Sequence, residues 1–129
     1  MRLKIVTPTA VCLDTPVRRL VAEGPDGHFG MLPRHIDFAS ELVPGILVYE
    51  TEDGTERYSG HHSGTLVKCG AEVLVATRTA VLADDMPTVR RRISDELREL
   101  EETEREARSA LARLEADIVR RFQELEQSS

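Results

Sequence analysis

Four histidines, two cysteines and a pair of serines are the side chains of this chain that could do chemistry: His28, His35, His61, His62, Cys12, Cys69, Ser59 and Ser63. The imidazoles invite a metal centre. A strand-borne site of that kind uses a His-x-His pair with a downstream Glu and a further His, whereas adjacent His61 and His62 in a strand project to opposite faces. Beside Gly60 and Gly64 they read as partly exposed turn histidines without a ligand. Ser63 comes nearest to a nucleophile, in His61-His62-Ser63-Gly64, but lies in no Gly-x-Ser-x-Gly elbow and has no assignable acid to orient a base. No Gly-x-x-x-x-Gly-Lys-Ser/Thr phosphate loop occurs either. Cys12 and Cys69 are isolated and form no Cys-x-x-Cys pair, which fits a reducing compartment. The expectation is a chain with no catalytic residue, no metal and no cofactor of its own.

The other two histidines belong to a segment shaped by geometry first. In Gly27-His28-Phe29-Gly30-Met31-Leu32-Pro33-Arg34-His35 the glycines permit positive φ or close backbone approach, and the proline fixes φ near −65° and removes a donor. The result is a turn between strands that presents His28 and His35.

Stepping outward, the elements that hold this segment divide the chain in two. All 8 glycines and all 6 prolines lie within residues 1–87. There, short β-branched runs at Leu3 to Thr7, Val17 to Glu23, Gly45 to Thr51, Thr65 to Cys69 and Glu72 to Thr77 are separated by turn signals, the pattern of an antiparallel β-sandwich or barrel. The clearest hairpin runs from Leu47 to Tyr58 around Asp53-Gly54, with Tyr49 and Tyr58 packed on the pleat nearby. The fold class is therefore α+β, with a sandwich over residues 1–86 and a helical tail over residues 87–129.

The tail carries apolar residues at Ile93, Leu97, Leu100, Ala107, Leu111, Leu114, Ile118, Phe122 and Leu125, a spacing of threes and fours. Pro87 suits the first helical turn, and Asp84-Asp85 complement the positive end of the helix dipole. The stripe holds one heptad phase and fails at Glu104 and Arg121, which favours one long helix. Glu101 with Arg105 and Glu104 with Arg108 support helix where a turn would fall. A helix hairpin is the alternative, since Thr103 and Glu106 would make a capping box. A rod of about 40 residues would reach roughly 60 Å, too long to bury its stripe on so small a domain, so it folds back or a partner covers it.

A formal charge of −6 and a pI near 5.2 argue against a nucleic-acid partner, which needs a clustered basic surface. The one dense basic cluster, Arg90-Arg91-Arg92, lies among acidic residues as a solvated helix face. No apolar run reaches the roughly 18 residues of a membrane span. Direct membrane insertion is not expected.

Taken in order, these segments resemble the epsilon subunit of F-type rotary ATP synthases. The Gly27 to His35 block is similar to that family's Gly-x-Leu/Phe-Gly-Ile/Met-x-Pro-x-His. Leu3 to Pro8 looks like its first strand, and Val43-Pro44-Gly45-Ile46-Leu47 like its Lys-Pro-Gly-hydrophobic step. Gly60, Gly64, Leu66 and Val67 resemble its glycine-containing strand pair. Glu72 to Thr77 followed by Ala80-Val81-Leu82-Ala83-Asp84-Asp85 resembles its Val-Thr-Val-Leu-Ala-Asp passage into the helices.

The resemblance implies a non-catalytic central-stalk subunit in ATP synthesis and hydrogen-ion transport. Its partners would be the gamma subunit, the ring of c subunits and, through the tail, the alpha/beta head, where the tail restrains hydrolysis. It implies a peripheral place at the cytoplasmic face of the cell membrane. His28, Phe29, Met31 and His35 would face the rotor and c ring, and Arg90, Arg98, Arg105, Arg108, Arg113 and Arg120 would meet the beta subunits. The family often has Glu where this chain has His28, which would alter that contact or make it pH-sensitive. Some members bind ATP through Ile/Leu-Asp-x-x-Arg-Ala at the first helix. Here the aligned stretch is Met86-Pro87-Thr88-Val89-Arg90-Arg91, so weak or absent ATP binding is expected. These departures, with His61-His62 in place of Gly-aromatic, point to a divergent, second-type branch. The rival reading is a stand-alone sandwich that oligomerises through a coiled-coil tail.

Overall fold

The computed structural model describes residues 1–34 and 36–128, and His35 lies outside them. Alternation sets the first layer. Strand β1 (Arg2–Val6) buries Leu3 and Ile5 and exposes Arg2 and Lys4, the period of a half-buried strand. It pairs with the first part of β2 (Val11–Gly24) in antiparallel fashion, Arg2 opposite Pro16. On its other side β1 runs parallel to β8 (Glu72–Thr77). Strands β7 (Gly64–Cys69) and β4 (Phe38–Leu42) complete that layer in the order β4-β7-β8-β1-β2. One pair in the otherwise antiparallel framework is thus parallel.

The second layer uses the other half of β2, 14 residues long in all. From Val17 onward β2 pairs with β5 (Gly45–Thr51) and β3 (Gly27–Met31), with a register shift between Val17 and Arg19. Pro16 sits at the change of partners. A residue that cannot donate is tolerated there, and a strand passing from one sheet to the other through an irregularity makes a sandwich corner. Strands β6 (Glu56–His61) and β9 (Ala80–Ala83) extend this layer from β5. Leu3, Ile5, Val17, Leu20, Met31, Leu47, Leu66, Val73 and Val75 form the core between the layers. Tyr49 lies opposite Arg57 and Tyr58 opposite Val48, so successive positions place the two tyrosines on opposite faces of the pleat.

A single helix, α1 (Met86–Ser128), follows. Asp85 caps it, accepting the Thr88 amide proton at 2.8 Å, three residues in, as an N-cap does. The tail is one helix through the Thr103–Glu106 stretch, and no hairpin forms. Two compact units divide the chain, Met1–Glu96 and Leu97–Ser129. The first turns of α1 belong to the sandwich unit because Val89 and Ile93 are buried. Ile93 lies over Gly60, where an added Cβ would come within 2.6 Å of the Ile93 Cβ. Only a residue without a side chain admits the helix there.

Candidate functional site

The Gly27–Met31 block forms β3, the second arm of a tight hairpin with Gly24 opposite Gly27. Pro25-Asp26 make the turn, and Gly27 closes it at a φ of 117°, a conformation that favours glycine. The hairpin sets His28 opposite Glu23. The His28 Nε2 lies 2.9 Å from the Glu23 Oε1, with the imidazole largely exposed. The Glu23 carboxylate also closes over Gly45: a Cβ there would lie 2.6 Å from its Oε2. Nearby, the Val43 amide donates to the Glu23 carbonyl at 3.3 Å. Glu23 therefore ties the β2–β3 hairpin to the Val43-Pro44-Gly45 step.

The remaining side chains of the block divide by exposure. Phe29 is half-buried and meets Phe38 edge to face, ring centroids 5.7 Å apart. Met31 is 1% exposed and belongs to the core. It therefore fails as a surface contact, because opposite Leu20 its side chain points inward. The apolar atoms the segment does present are those of Leu32 and Ile36, 61% and 77% exposed. Sequence reasoning passed over both, since neither the glycine-proline pattern nor any period marks them. Their signal was large apolar residues inside a turn.

A second apolar surface lies on the outer face of the first sheet. Val67 stands opposite Leu74 on one side and Ala39 on the other, and Leu74 stands opposite Lys4 across the parallel pair. Val67 and Leu74 are 37% and 41% exposed. In the helical unit Leu111, Leu114, Ile118, Phe122 and Leu125 are all exposed, as the stripe predicted. Arg90, Arg98, Arg105, Arg108, Arg113 and Arg120 are exposed too. Arg108 lies 3.7 Å from Glu104, and Arg120 pairs with Asp117.

His61 is not a partly exposed turn residue. It ends β6 and is 1% exposed, because it shares a strand face with Ser59, whose cross-strand neighbour Leu47 is in the core. The His61 Nδ1 donates to the His62 carbonyl at 2.8 Å, leaving Nε2 as the lone-pair nitrogen. Neither that Nε2 nor the buried Ser59 Oγ finds a partner among the described residues. Burial pushes the His61 pKa down, against smaller opposing effects of the His62 carbonyl and Glu23. His62 and Ser63 form only a local ring: the Ser63 amide donates to the His62 Nδ1 at 2.7 Å. The Thr77 hydroxyl lies 3.1 Å from both the His62 and Ser63 carbonyls and fixes that turn. Among the described residues no three His, Cys, Asp or Glu side chains are placed to hold a metal.

At the start of α1 an open cleft of about 370 Å³ is lined by Tyr49, Arg57, Leu82, Asp84, Asp85, Thr88 and Arg92. Its cations are engaged. Arg57 pairs with Asp84, and the Arg92 guanidinium donates to the Leu82 carbonyl at 2.9 Å. The Asp85 pKa is lowered from its ordinary value because Thr88 donates to the carboxylate. The cleft is thus a cap whose two arginines are bonded to Asp84 and the Leu82 carbonyl.

The chain resembles known proteins along most of its length. The family model for the ATP synthase delta/epsilon chain β-sandwich domain matches residues 1–83. The ATP synthase epsilon chain 2 of Paraburkholderia xenovorans is 32% identical over 95% of this chain and 89% of its own. The ATP synthase epsilon chain of Nitratiruptor is 30% identical over 92% of each. Among solved structures, a chain of the Euglena gracilis mitochondrial ATP synthase (OSCP/F1/c-ring, rotational state 1) superposes with a TM-score of 0.60 at 24% identity. That match covers 65% of this chain and 54% of the other, and at such identity it speaks for the fold. A sandwich of this topology, the match over residues 1–83 and near full-length similarity to two epsilon chains mean that the protein belongs to the ATP synthase delta/epsilon family, as an epsilon chain.

Proposed function

We propose that this chain is the central-stalk epsilon subunit of an F1 sector, coupling ion-driven rotation to ATP synthesis without catalysing a reaction itself. One observation carries the reading: a rigid sandwich leaves an apolar row, Val67 and Leu74, on its outer face while a long helix leaves its apolar stripe exposed. Surfaces of that kind are completed by partners. The sandwich docks on gamma beside the c ring through this row and through the hairpin end bearing His28, Leu32 and Ile36. His28, whose Nε2 lies 2.9 Å from the Glu23 Oε1, is the polar contact of that end. No helix among the described residues is long and apolar enough to cross a membrane, in keeping with a peripheral position at the cytoplasmic face.

The helical unit restrains ATP hydrolysis by reaching the alpha/beta head, with Arg90, Arg98, Arg105, Arg108, Arg113 and Arg120 as its contacts to acidic beta surfaces. Such a brake works by differential binding of two states. ATP does not hold the helix, since the cations of the cleft at its base are already bonded. Calorimetric titration of the chain with ATP is expected to give no micromolar heat. The brake is tested by removing residues 97–129, a cut that keeps Val89 and Ile93 in the sandwich unit, and measuring ATPase activity of the assembled complex. Faster hydrolysis supports the reading; unchanged hydrolysis removes the brake.

A further inference from the structure

From Leu97 onward the apolar seam of α1 repeats in alternating steps of three and four, and two charged residues interrupt it, Glu104 and Arg121. In a parallel, in-register pair of such helices Glu104 would face Glu104 and Arg121 would face Arg121, a like-charge layer at each interruption. Turning one helix end for end removes both conflicts. In an antiparallel coiled coil each a position meets a d position of the other helix, and one register places Glu104 opposite Arg121 twice, by symmetry. That same register sets Leu111 against Leu114, Ala107 against Ile118 and Leu100 against Leu125, so every other layer between residues 100 and 125 is apolar. Leu111, Leu114, Ile118 and Leu125 are 47–66% exposed in the single chain. The paired span is close to four heptads, about 40 Å of helix, which is the length a coiled coil needs.

We infer that residues 97–128 form an antiparallel two-stranded coiled coil with a second copy of this chain, its register fixed by reciprocal Glu104–Arg121 pairs. In the single chain Glu104 lies 3.7 Å from Arg108 and Arg121 lies 3.7 Å from Asp117, intrahelical pairs at the helix surface. Pairs of that type contribute little, so exchanging them for contacts across the seam costs little. The dimer covers the stripe that a rotor partner would use, so the two engagements exclude each other.

Sedimentation of the full-length chain tests the pairing. The wild type forms a dimer. Glu104→Arg or Arg121→Glu alone creates two like-charge layers and weakens it about tenfold or more, whereas the double variant Glu104→Arg/Arg121→Glu restores it to within about threefold. Circular dichroism establishes that each variant remains helical. In a Cys12→Ser/Cys69→Ser background, oxidising a mixture of Ala107→Cys and Ile118→Cys chains gives the mixed disulfide dimer, while Ala107→Cys alone gives none. A monomeric wild type, a double variant as weak as the singles, or a disulfide between two Ala107→Cys chains overturns the inference.

Discussion

Replacing Gly60 by alanine tests how the helix is fastened to the sandwich. The new Cβ would lie 2.6 Å from the Ile93 Cβ and 3.0 Å from its Cγ1 and Cγ2, where carbon atoms settle at about 3.5–4.0 Å. The start of α1 must therefore move by about 1 Å, and overpacking of this kind costs about 1–3 kcal/mol. Relief of glycine's unfolded-state entropy returns about 0.4–1 kcal/mol, leaving a net loss near 1–2 kcal/mol. Ile93→Ala alone empties a site that is 5% exposed and costs about 2–5 kcal/mol. The double variant Gly60→Ala/Ile93→Ala removes the Cγ1 and Cγ2 contacts but keeps the 2.6 Å Cβ–Cβ approach, so Gly60→Ala should still cost stability in that background. The chain has 2 tyrosines and no tryptophan, and both tyrosines lie on β5 and β6. Urea unfolding followed by tyrosine fluorescence therefore reads the sandwich unit directly. With a slope of about 1 kcal/mol/M, the midpoint of Gly60→Ala should fall by about 1–2 M. An unchanged midpoint for Gly60→Ala, in either background, would refute the close approach.

Three other outcomes follow from the same contacts. Burial holds the folded His61 pKa below its ordinary value of 6.5, so the unfolded chain takes the proton first. Stability is then full above pH 6.5 and falls as pH drops below it, and His61→Leu should flatten thermal unfolding between pH 7 and 5. Removing the Asp85 cap by Asp85→Ala should speed hydrogen exchange at the Val89 amide, bonded to the Asp85 carbonyl at 3.2 Å, while Asp85→Asn, which can still accept, should preserve protection. Val67→Lys/Leu74→Asp, an opposite-charge cross-strand pair on exposed positions of the outer face, should leave the chain folded by circular dichroism yet abolish retention on immobilised gamma subunit; retention equal to wild type would move the docking face elsewhere.

Where local pattern governs, the chain was legible. The alternation of β1, β5, β7 and β8, the Asp53-Gly54 hairpin and the threes-and-fours of α1 each follow from side-chain period, and each forms where that period lies. Partners distant in sequence were not legible. Nothing near Arg2 announces that β1 runs parallel to β8 seventy residues on, and Pro16 inside one long strand reads locally as a break. Site residues failed for the same reason. Met31 and His61 look available in a motif, but strand alternation turns both into the core. Leu32 and Ile36 look like ordinary apolar residues, but the loop leaves them outside. The choice between one helix and a hairpin turned on Glu101 to Glu106, where charge pairs and a capping box compete, and continuous helix prevails.

The central claim is that this epsilon chain takes its place by docking on gamma. Co-expression of the full-length chain with its gamma subunit, followed by size-exclusion chromatography with light scattering, measures that directly. The account predicts a one-to-one complex that persists through the column. Separate elution of the two, with this chain present only as a monomer or homodimer, would contradict it.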